Sequence, residues 1–173
     1  EAQLAPGTKK ENANSPSPSQ TQLSSLLEHY KNGQYDDAEK MALLITQEFP
    51  ENQFAWKVLG ALLGQKGMKA EALNANQKAV QLVPQDAEAH NNLGVTLKEL
   101  GSLGEAEASY RQAIALKPDY AEAHNNLGVT LRELGRLDEA EASYRQVIAL
   151  KPDDAEAKHM LAALSGETTA TAP

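Results

Sequence analysis

The sequence predicts an all-α solenoid made of four helix-pair repeats and a terminal helix. Residues 87–120 and 121–154 carry almost the same sequence and differ at only five of 34 positions. Prolines recur with the same 34-residue period, at Pro50, Pro84, Pro118 and Pro152. Glycines do so as well, at Gly33, Gly67, Gly101 and Gly135. A fixed period of this length is typical of chains that stack one structural unit in a row.

The first half of each repeat predicts a helix. In the unit 87–120, apolar residues recur at the spacing of one helix face, at Ala89, Leu93, Leu97 and Leu100. Gly101 follows, and glycine readily takes the left-handed backbone conformation that ends many helices. The sequence therefore predicts that the first helix ends next to Gly101.

The second half of each repeat predicts another helix, which runs from about Glu105 to Leu116 in the same unit. Pro118 ends it, because proline cannot continue a helix and restricts the residue before it. Gly104 and the equivalent Asp138 lie where the second helices are expected to start, and both residue types are accepted as N-caps. Tyr110 and Tyr144 are expected to pack inside the array.

The period also sets the domain organisation. Residues 1–18 are rich in Pro, Ser and Asn and are expected to form a flexible arm. The repeat domain is expected to span residues 19–165, as the units 19–52, 53–86, 87–120 and 121–154 followed by a capping helix at 155–165. An alternative for 155–165 is a fifth repeat that is cut short or diverged. Residues 166–173 are expected to be a linker.

Composition excludes several functional classes. The net charge of −8 argues against nucleic acid as a partner, because such binding needs clustered Lys and Arg. There is no cysteine, which removes disulfides, thiolate nucleophiles and cysteine-based zinc sites. No apolar run approaches the ~20 residues of a membrane span, so no membrane contact is expected. The chain starts without Met and without a signal-peptide pattern, which favours a processed or excised fragment and a cytoplasmic location.

The pattern within each unit resembles the tetratricopeptide repeat. With Ala87 as the first position, the motif residues of that family correspond to Leu93, Gly94, Leu97, Ala106, Tyr110, Ala113 and Pro118. The next unit matches in the same way, whereas the unit 53–86 has Asn76 where an aromatic residue is expected. The unit 19–52 is the most divergent, as terminal repeats commonly are. The resemblance implies a right-handed superhelix whose first helices line a concave groove.

The resemblance also implies a function, which is the binding of an extended peptide or partner segment in that groove by a non-catalytic scaffold. The inward positions of the repeats give the candidate binding residues, which are Lys57, Asn91, Asn92, Lys98, Asn125, Asn126 and Arg132. Each Asn side chain carries two donors and an acceptor, which suits a peptide backbone. Two consecutive asparagines also disfavour a helix, so they are expected to serve a purpose.

Two interpretations of the asparagines remain open. Asn92 and Asn126 correspond to the asparagine ladder in the repeats of protein O-GlcNAc transferases, where such amides hold peptide substrate. Alternatively, these amides bond the neighbouring repeat. The ladder is interrupted upstream by Val58 and downstream by Met160.

The dicarboxylate clamp of chaperone-binding repeats is a sharper alternative, and the sequence disfavours it. Lys57 and Asn92 fit two of its five positions. Ala61, Glu122 and Asn126 do not fit the others. A carboxylate where a cation is needed would repel an acidic C-terminus.

Neither catalysis nor a metal site is expected. His90 and His124 take the aromatic position of the family motif, which favours packed, hydrogen-bonded rings over metal ligands. No phosphate loop, dinucleotide-binding glycine pattern or nucleophile motif is present, so no catalytic residue and no cofactor are predicted.

The C-terminal segment allows two further hypotheses. Residues 157–173 resemble the junction at which bacterial repeats of this kind precede an S-adenosylmethionine-dependent methyltransferase. The chain would then be the substrate-recruiting region of a larger methyltransferase or other transferase. Alternatively, the repeat ends or the 1–18 arm mediate self-association, which would give a weak homo-oligomer.

Overall fold

A computed structural model describes the backbone of residues 17–170 and the side chains of residues 17–164. The predicted arm is therefore described only at residues 17 and 18. Helices are the only regular structure in this part of the chain. The helices are α1 (Gln20–Lys31), α2 (Tyr35–Glu48), α3 (Gln53–Gln65), α4 (Lys69–Leu82), α5 (Ala87–Glu99), α6 (Leu103–Leu116), α7 (Ala121–Glu133), α8 (Leu137–Leu150) and α9 (Ala155–Ala170).

The helices pair into hairpins that stack in chain order, which confirms the predicted all-α solenoid. Helices α1 and α2, α3 and α4, α5 and α6, and α7 and α8 contact each other as pairs, and each pair packs against the next. Gly101 takes a φ of +81° directly after α5, and the next N–H, of Ser102, bonds the carbonyl of Leu97 at 2.9 Å. The predicted left-handed glycine therefore ends the first helix.

The second helices begin earlier than the sequence predicts. Helix α6 starts at Leu103, with Ser102 as its N-cap, and α8 starts at Leu137, with Arg136 as its N-cap. The prediction that Gly104 and Asp138 cap these helices is wrong, since both lie inside the first turn. The carbonyl of Ser102 already accepts the N–H of Ala106 at 2.9 Å, so helical bonding begins directly after the glycine turn.

The last helix is longer than predicted. Helix α9 runs from Ala155 to Ala170, so residues 166–170 are helical and not linker. Its N-terminus is capped by Asp154, whose Oδ1 accepts the N–H of Ala157 at 2.9 Å. Ala157 and Leu164 are buried, and α9 packs against α8.

The third and fourth repeats each place a glycine of the first helix against a large side chain of the second. A Cβ added at Gly94 would lie 2.6 Å from Cε1 of Tyr110, and one at Gly128 would lie 2.8 Å from Cε1 of Tyr144. Both tyrosine side chains are fully buried, which confirms their predicted packing role. The hairpins can approach closely because glycine leaves room for the ring.

The aromatic position of the motif connects three of the first helices, α3, α5 and α7, to the loop that precedes each of them. Nε2 of His90 lies 2.9 Å from the carbonyl oxygen of Pro84, and Nε2 of His124 lies 2.9 Å from that of Pro118. The predicted hydrogen bonds of both histidines are confirmed, and both residues are half-buried. Trp56 makes the equivalent bond, since its indole N–H donates to the carbonyl of Pro50 at 2.8 Å.

No helix in the described part of the chain is long and apolar enough to cross a membrane.

Candidate functional site

The candidate site is the face formed by the first helices of successive repeats. Helix α3 contacts both α1 and α5, and α5 also contacts α7, so these four helices form a continuous surface. Helices two apart in the chain approach one another on the inner side of a curved stack, so this surface is the concave face. All seven candidate residues lie on three of these helices: Lys57 on α3, then Asn91, Asn92 and Lys98 on α5, and Asn125, Asn126 and Arg132 on α7. Asn91 is fully buried, so it is not exposed to a ligand in the groove.

Asn91 and Asn126 connect two successive repeats. Nδ2 of Asn126 donates to Oδ1 of Asn91 at 3.0 Å. Nδ2 of Asn91 in turn donates to the carboxylate of Glu122 at 3.0 Å. Asn91 is fully buried. These three residues form what we call the amide network, which holds α5 against α7.

Asn92 is equivalent to Asn126, but its side chain makes no hydrogen bond within residues 17–164. The reason lies one repeat upstream, where Lys57 occupies the position that corresponds to Asn91. An ammonium group has no acceptor to offer to an Asn amide. Asn92 therefore remains half-buried on the concave face with its amide available.

Asn125 marks the other end of the pattern. Asn125 is equivalent to Asn91, and Oδ1 of Asn91 accepts a hydrogen bond from Asn126 in the next repeat. The residue at that place after Asn125 is Met160, which has no amide to donate. Oδ1 of Asn125 is accordingly buried without a hydrogen-bond partner among the described residues.

Lys57 belongs to a charged cluster. Its Nζ lies 3.1 Å from Oδ2 of Asp86 and 2.6 Å from Oε2 of Glu88. Burial opposes the charge of Lys57, but the hydrogen bonds that its ammonium donates to both carboxylates prevail and raise its pKa above the ordinary value. Burial likewise opposes the charge of Asp86, yet bonds from the N–H of Ala89 and from Lys57 and Gln53 lower its pKa.

The two remaining basic candidates are engaged by the following repeat. Nζ of Lys98 lies 3.4 Å from Oε1 of Glu133, with both side chains partly exposed. Arg132 Nη1 approaches the sulfur of Met160 at 3.5 Å.

Asn76 is a site residue that the sequence analysis noted only as a departure from the motif. It is 1% exposed and lies in α4 at the position of Tyr110 and Tyr144. Its Nδ2 donates to Oγ1 of Thr96 at 2.9 Å, while its Oδ1 is buried without a partner. The absence of an aromatic residue at position 76 indicates a gap in the core of this repeat. The motif alone does not show whether side chains of other helices fill that gap.

Beside this residue is a cavity of about 240 Å³ that we call the Asn76 cavity. It lies between α3, α4 and α5, and its wall includes Gly60, Gly64, Asn76, Asn92, Glu99 and Glu122. Asn76 and Asn92 bring amides to it, and the two glutamates bring carboxylates. The cavity thus joins a polar interior to the concave face.

The concave face is acidic around this cavity. Burial raises the pKa of Tyr110 well above its ordinary value, and the charges of Glu99, Glu122 and Glu133 raise it further. The pKa of Tyr30 is raised as well, first by burial and then by the phenol of Tyr35 and the charges of Glu88 and Glu122. A hydrogen-bond donor or a cation is therefore favoured on this face over an anion. No group of three or more His, Cys, Asp or Glu side chains suited to a metal ion occurs among the residues that the structure describes.

Comparison with protein families identifies the repeat. Residues 91–155 match the model described as tetratricopeptide repeat, and residues 60–101 match a second model described as TPR repeat. No curated protein sequence matches the chain.

Solved structures share the fold. MamA is 25% identical, with a TM-score of 0.76 over 82% of this chain and 83% of that one. The first TPR of Spaghetti (RPAP3), bound to the HSP90 peptide SRMEEVD, is 25% identical, with a TM-score of 0.66 over 68% and 93%. An O-GlcNAc transferase of Thermobaculum terrenum is 28% identical, with a TM-score of 0.71 over 75% of this chain and 25% of the transferase.

Proposed function

The chain belongs to the tetratricopeptide repeat proteins, and we propose that it is a non-catalytic scaffold that binds an extended protein segment in its concave groove. The observation that carries this proposal is the side chain of Asn92. It faces the concave side, is half-buried, and offers two donors and one acceptor that no described residue uses. An extended backbone presents the complementary carbonyl and N–H groups.

The geometry of the stack supports an extended ligand. Equivalent helices of neighbouring repeats lie on the order of 10 Å apart. Three extended residues span about the same distance. A segment that follows the groove would therefore meet Asn92 and the next repeat in register. Lys98 and Arg132 lie nearer the ends of α5 and α7 and would contact the flanks of the segment.

The solved relatives give the proposal an independent basis. The Spaghetti domain binds a peptide, and it is 25% identical to this chain over 93% of its own length. Its peptide is acidic, whereas the groove here carries Glu88 and Glu122 on α5 and α7. We therefore expect the same mode of binding with a different ligand chemistry.

The test uses a randomised nonapeptide display library selected on the chain, followed by calorimetry with the recovered peptides. Asn92→Ala should weaken peptide binding roughly tenfold without changing the melting temperature, because its amide bonds no described residue. Asn74→Ala is the matched control, since Asn74 is an exposed asparagine on the outer helix α4. Equal affinity of the two variants, or a library without binders, would contradict the proposal.

A second candidate function is the recruitment of substrate for a larger transferase. The observation in its favour is the match to the Thermobaculum terrenum transferase, of which the equivalent repeats make up only 25%. Sequencing the reading frame beyond Pro173 tests it. A stop codon directly after Pro173 would reject it.

Self-association is a third candidate, and it does not need the groove. Helix α2 presents Leu43 and Leu44, which are 39% and 65% exposed, next to the N-terminal end of the array. Light scattering over a dilution series tests it, and a monomer at the highest concentration would reject it.

A further inference from the structure

We propose that the Asn76 cavity binds a primary ammonium group, supplied by a lysine side chain or by the N-terminus of the segment in the groove. The inference rests on the proposed function, because the segment must lie along the concave face to reach the cavity. It deepens that proposal by naming the ligand chemistry at one position.

The cavity exists because one repeat lacks two side chains that the following repeats have. Where α6 and α8 carry Tyr110 and Tyr144, α4 carries the shorter Asn76. Where α5 and α7 carry Lys98 and Arg132, α3 carries Gly64. A Cβ added at Gly64 would meet nothing within 4 Å. The space is therefore open next to a buried polar group.

The missing basic side chain leaves a carboxylate without its cation. Lys98 pairs with Glu133, which follows it by 35 residues, at 3.4 Å. The residue that follows Gly64 by the same separation is Glu99, which lines the cavity. Glu99 forms no ion pair with a described residue, because the repeat that should supply the lysine has a glycine. Nζ of Lys69 lies nearby, but it donates to the backbone carbonyl of Glu99, at 2.9 Å, and not to the carboxylate. The contact between an ammonium and a carboxylate is therefore present at Lys98 and Glu133. At the equivalent positions one repeat earlier, Gly64 and Glu99, only the carboxylate is present.

The other polar groups of the cavity suit the same guest. Asn76 contributes open volume rather than a contact, because its buried Oδ1 lies against Gly60 in the cavity wall and is not accessible from the cavity. Asn92 adds an unused amide oxygen, and Glu122 adds a second carboxylate, which among the described residues accepts a bond from the amide of Asn91. These acceptors belong to separate side chains around one space. A compact ammonium with three donors fits that arrangement better than the planar guanidinium, which pairs with a single carboxylate through two parallel bonds.

Two substitutions close the site with residues that the chain already uses at the equivalent positions. Asn76→Tyr fills the cavity with the ring found at 110 and 144. Gly64→Lys supplies the cation found at position 98, within reach of Glu99. Both variants copy the neighbouring repeat, so both are expected to fold, and circular dichroism with thermal melting verifies it.

The experiment uses peptides from the display selection, synthesised with each lysine in turn replaced by acetyl-lysine or arginine, and with the N-terminus free or acetylated. Calorimetry on the unsubstituted chain should show at least about a tenfold loss when one particular amine is acetylated. The position of that amine distinguishes a side chain from the N-terminus. Asn76→Tyr and Gly64→Lys should bind the free and acetylated forms equally. Asn74→Ala should retain the preference.

The outcomes separate this inference from the function on which it rests. Peptides that bind with a loss on Asn92→Ala but without dependence on any amine would overturn the inference and leave groove binding intact. Equal affinity of the lysine and arginine peptides, or a preference that survives in both closed variants, would also overturn it. A library without any binder would overturn both proposals together.

Discussion

Nδ2 of Asn126 lies 3.0 Å from Oδ1 of Asn91, so one amide–amide hydrogen bond joins two successive repeats. Asn91 is fully buried, and its own Nδ2 is used by Glu122. Asparagines at identical positions of near-identical repeats therefore have different surroundings. Asn126 bonds the neighbouring repeat, while Asn92 has no such partner because Lys57 precedes it.

This difference predicts that the same substitution destabilises the chain at one of two equivalent positions and not at the other. Asn126→Ala should lower the free energy of unfolding by roughly 1–3 kcal/mol, because it leaves the buried Oδ1 of Asn91 without a donor. Asn92→Ala should change it by less than about 0.5 kcal/mol. Urea denaturation followed by circular dichroism measures both. Equal destabilisation would mean that the amide network does not stabilise the contact between α5 and α7.

Glycine is required at one kind of helical position and not at another. Gly94→Ala should destabilise the chain by about 1–3 kcal/mol, because its Cβ would lie 2.6 Å from the buried ring of Tyr110. Gly64→Ala should stabilise it by about 0.5–1 kcal/mol, because the added methyl group meets nothing and alanine favours the helix. Thermal melting of both variants, without peptide, tests the difference in sign.

Asn76→Tyr should stabilise the chain by about 1 kcal/mol. The substitution fills the Asn76 cavity with apolar ring surface. It does not change the number of buried oxygens without a partner, because the hydroxyl of the equivalent Tyr110 also has none among the described residues. Thr96 keeps its bond to the carbonyl of Asn92, at 3.2 Å. The melting temperature is the measurement, and Asn74→Tyr on the exposed face of α4 is the control. A lower melting temperature would show that the ring does not fit against Gly60.

The charged cluster at Lys57 predicts an acid-sensitive contribution to stability. The folded state lowers the pKa of Asp86, so its stabilising effect is present above the unfolded pKa of about 3.9 and is lost as the pH falls through the folded value. Asp86→Asn keeps an N-cap that accepts from the first turn of α5 but removes the charge. At pH 7 it should cost roughly 1–2 kcal/mol. The difference from the unsubstituted chain should shrink below about pH 4.

Denaturation curves at several pH values provide the measurement. A cost that stays constant from pH 7 to pH 3 would show that the carboxylate charge of Asp86 does not contribute. The raised pKa of Lys57 reflects the same ion pairs, so its contribution is present only while those carboxylates are charged. It also fades as the pH rises through the folded pKa of Lys57, above the ordinary value near 10.4.

The helix-pair architecture could be predicted from the sequence because each unit carries its own stop signals. Gly101 and Pro118 act on the backbone of their own repeat, and the apolar spacing of Leu93 and Leu97 fixes the buried face locally. Helix starts were less predictable. Gly104 and Asp138 are good caps in isolation, but the chain is already helical there because bonding begins at Ser102 and Arg136.

The repeats and their number followed from the sequence alone, because a fixed period can be read along a single chain. Only the tertiary structure decided which of the candidate side chains already form hydrogen bonds within the protein. A hydrogen bond between Asn91 and Asn126 depends on the residue one repeat away, and so does the unused amide of Asn92. The Asn76 cavity likewise arises from two absences, at positions 64 and 76, that become neighbours only when α3 and α4 pack together.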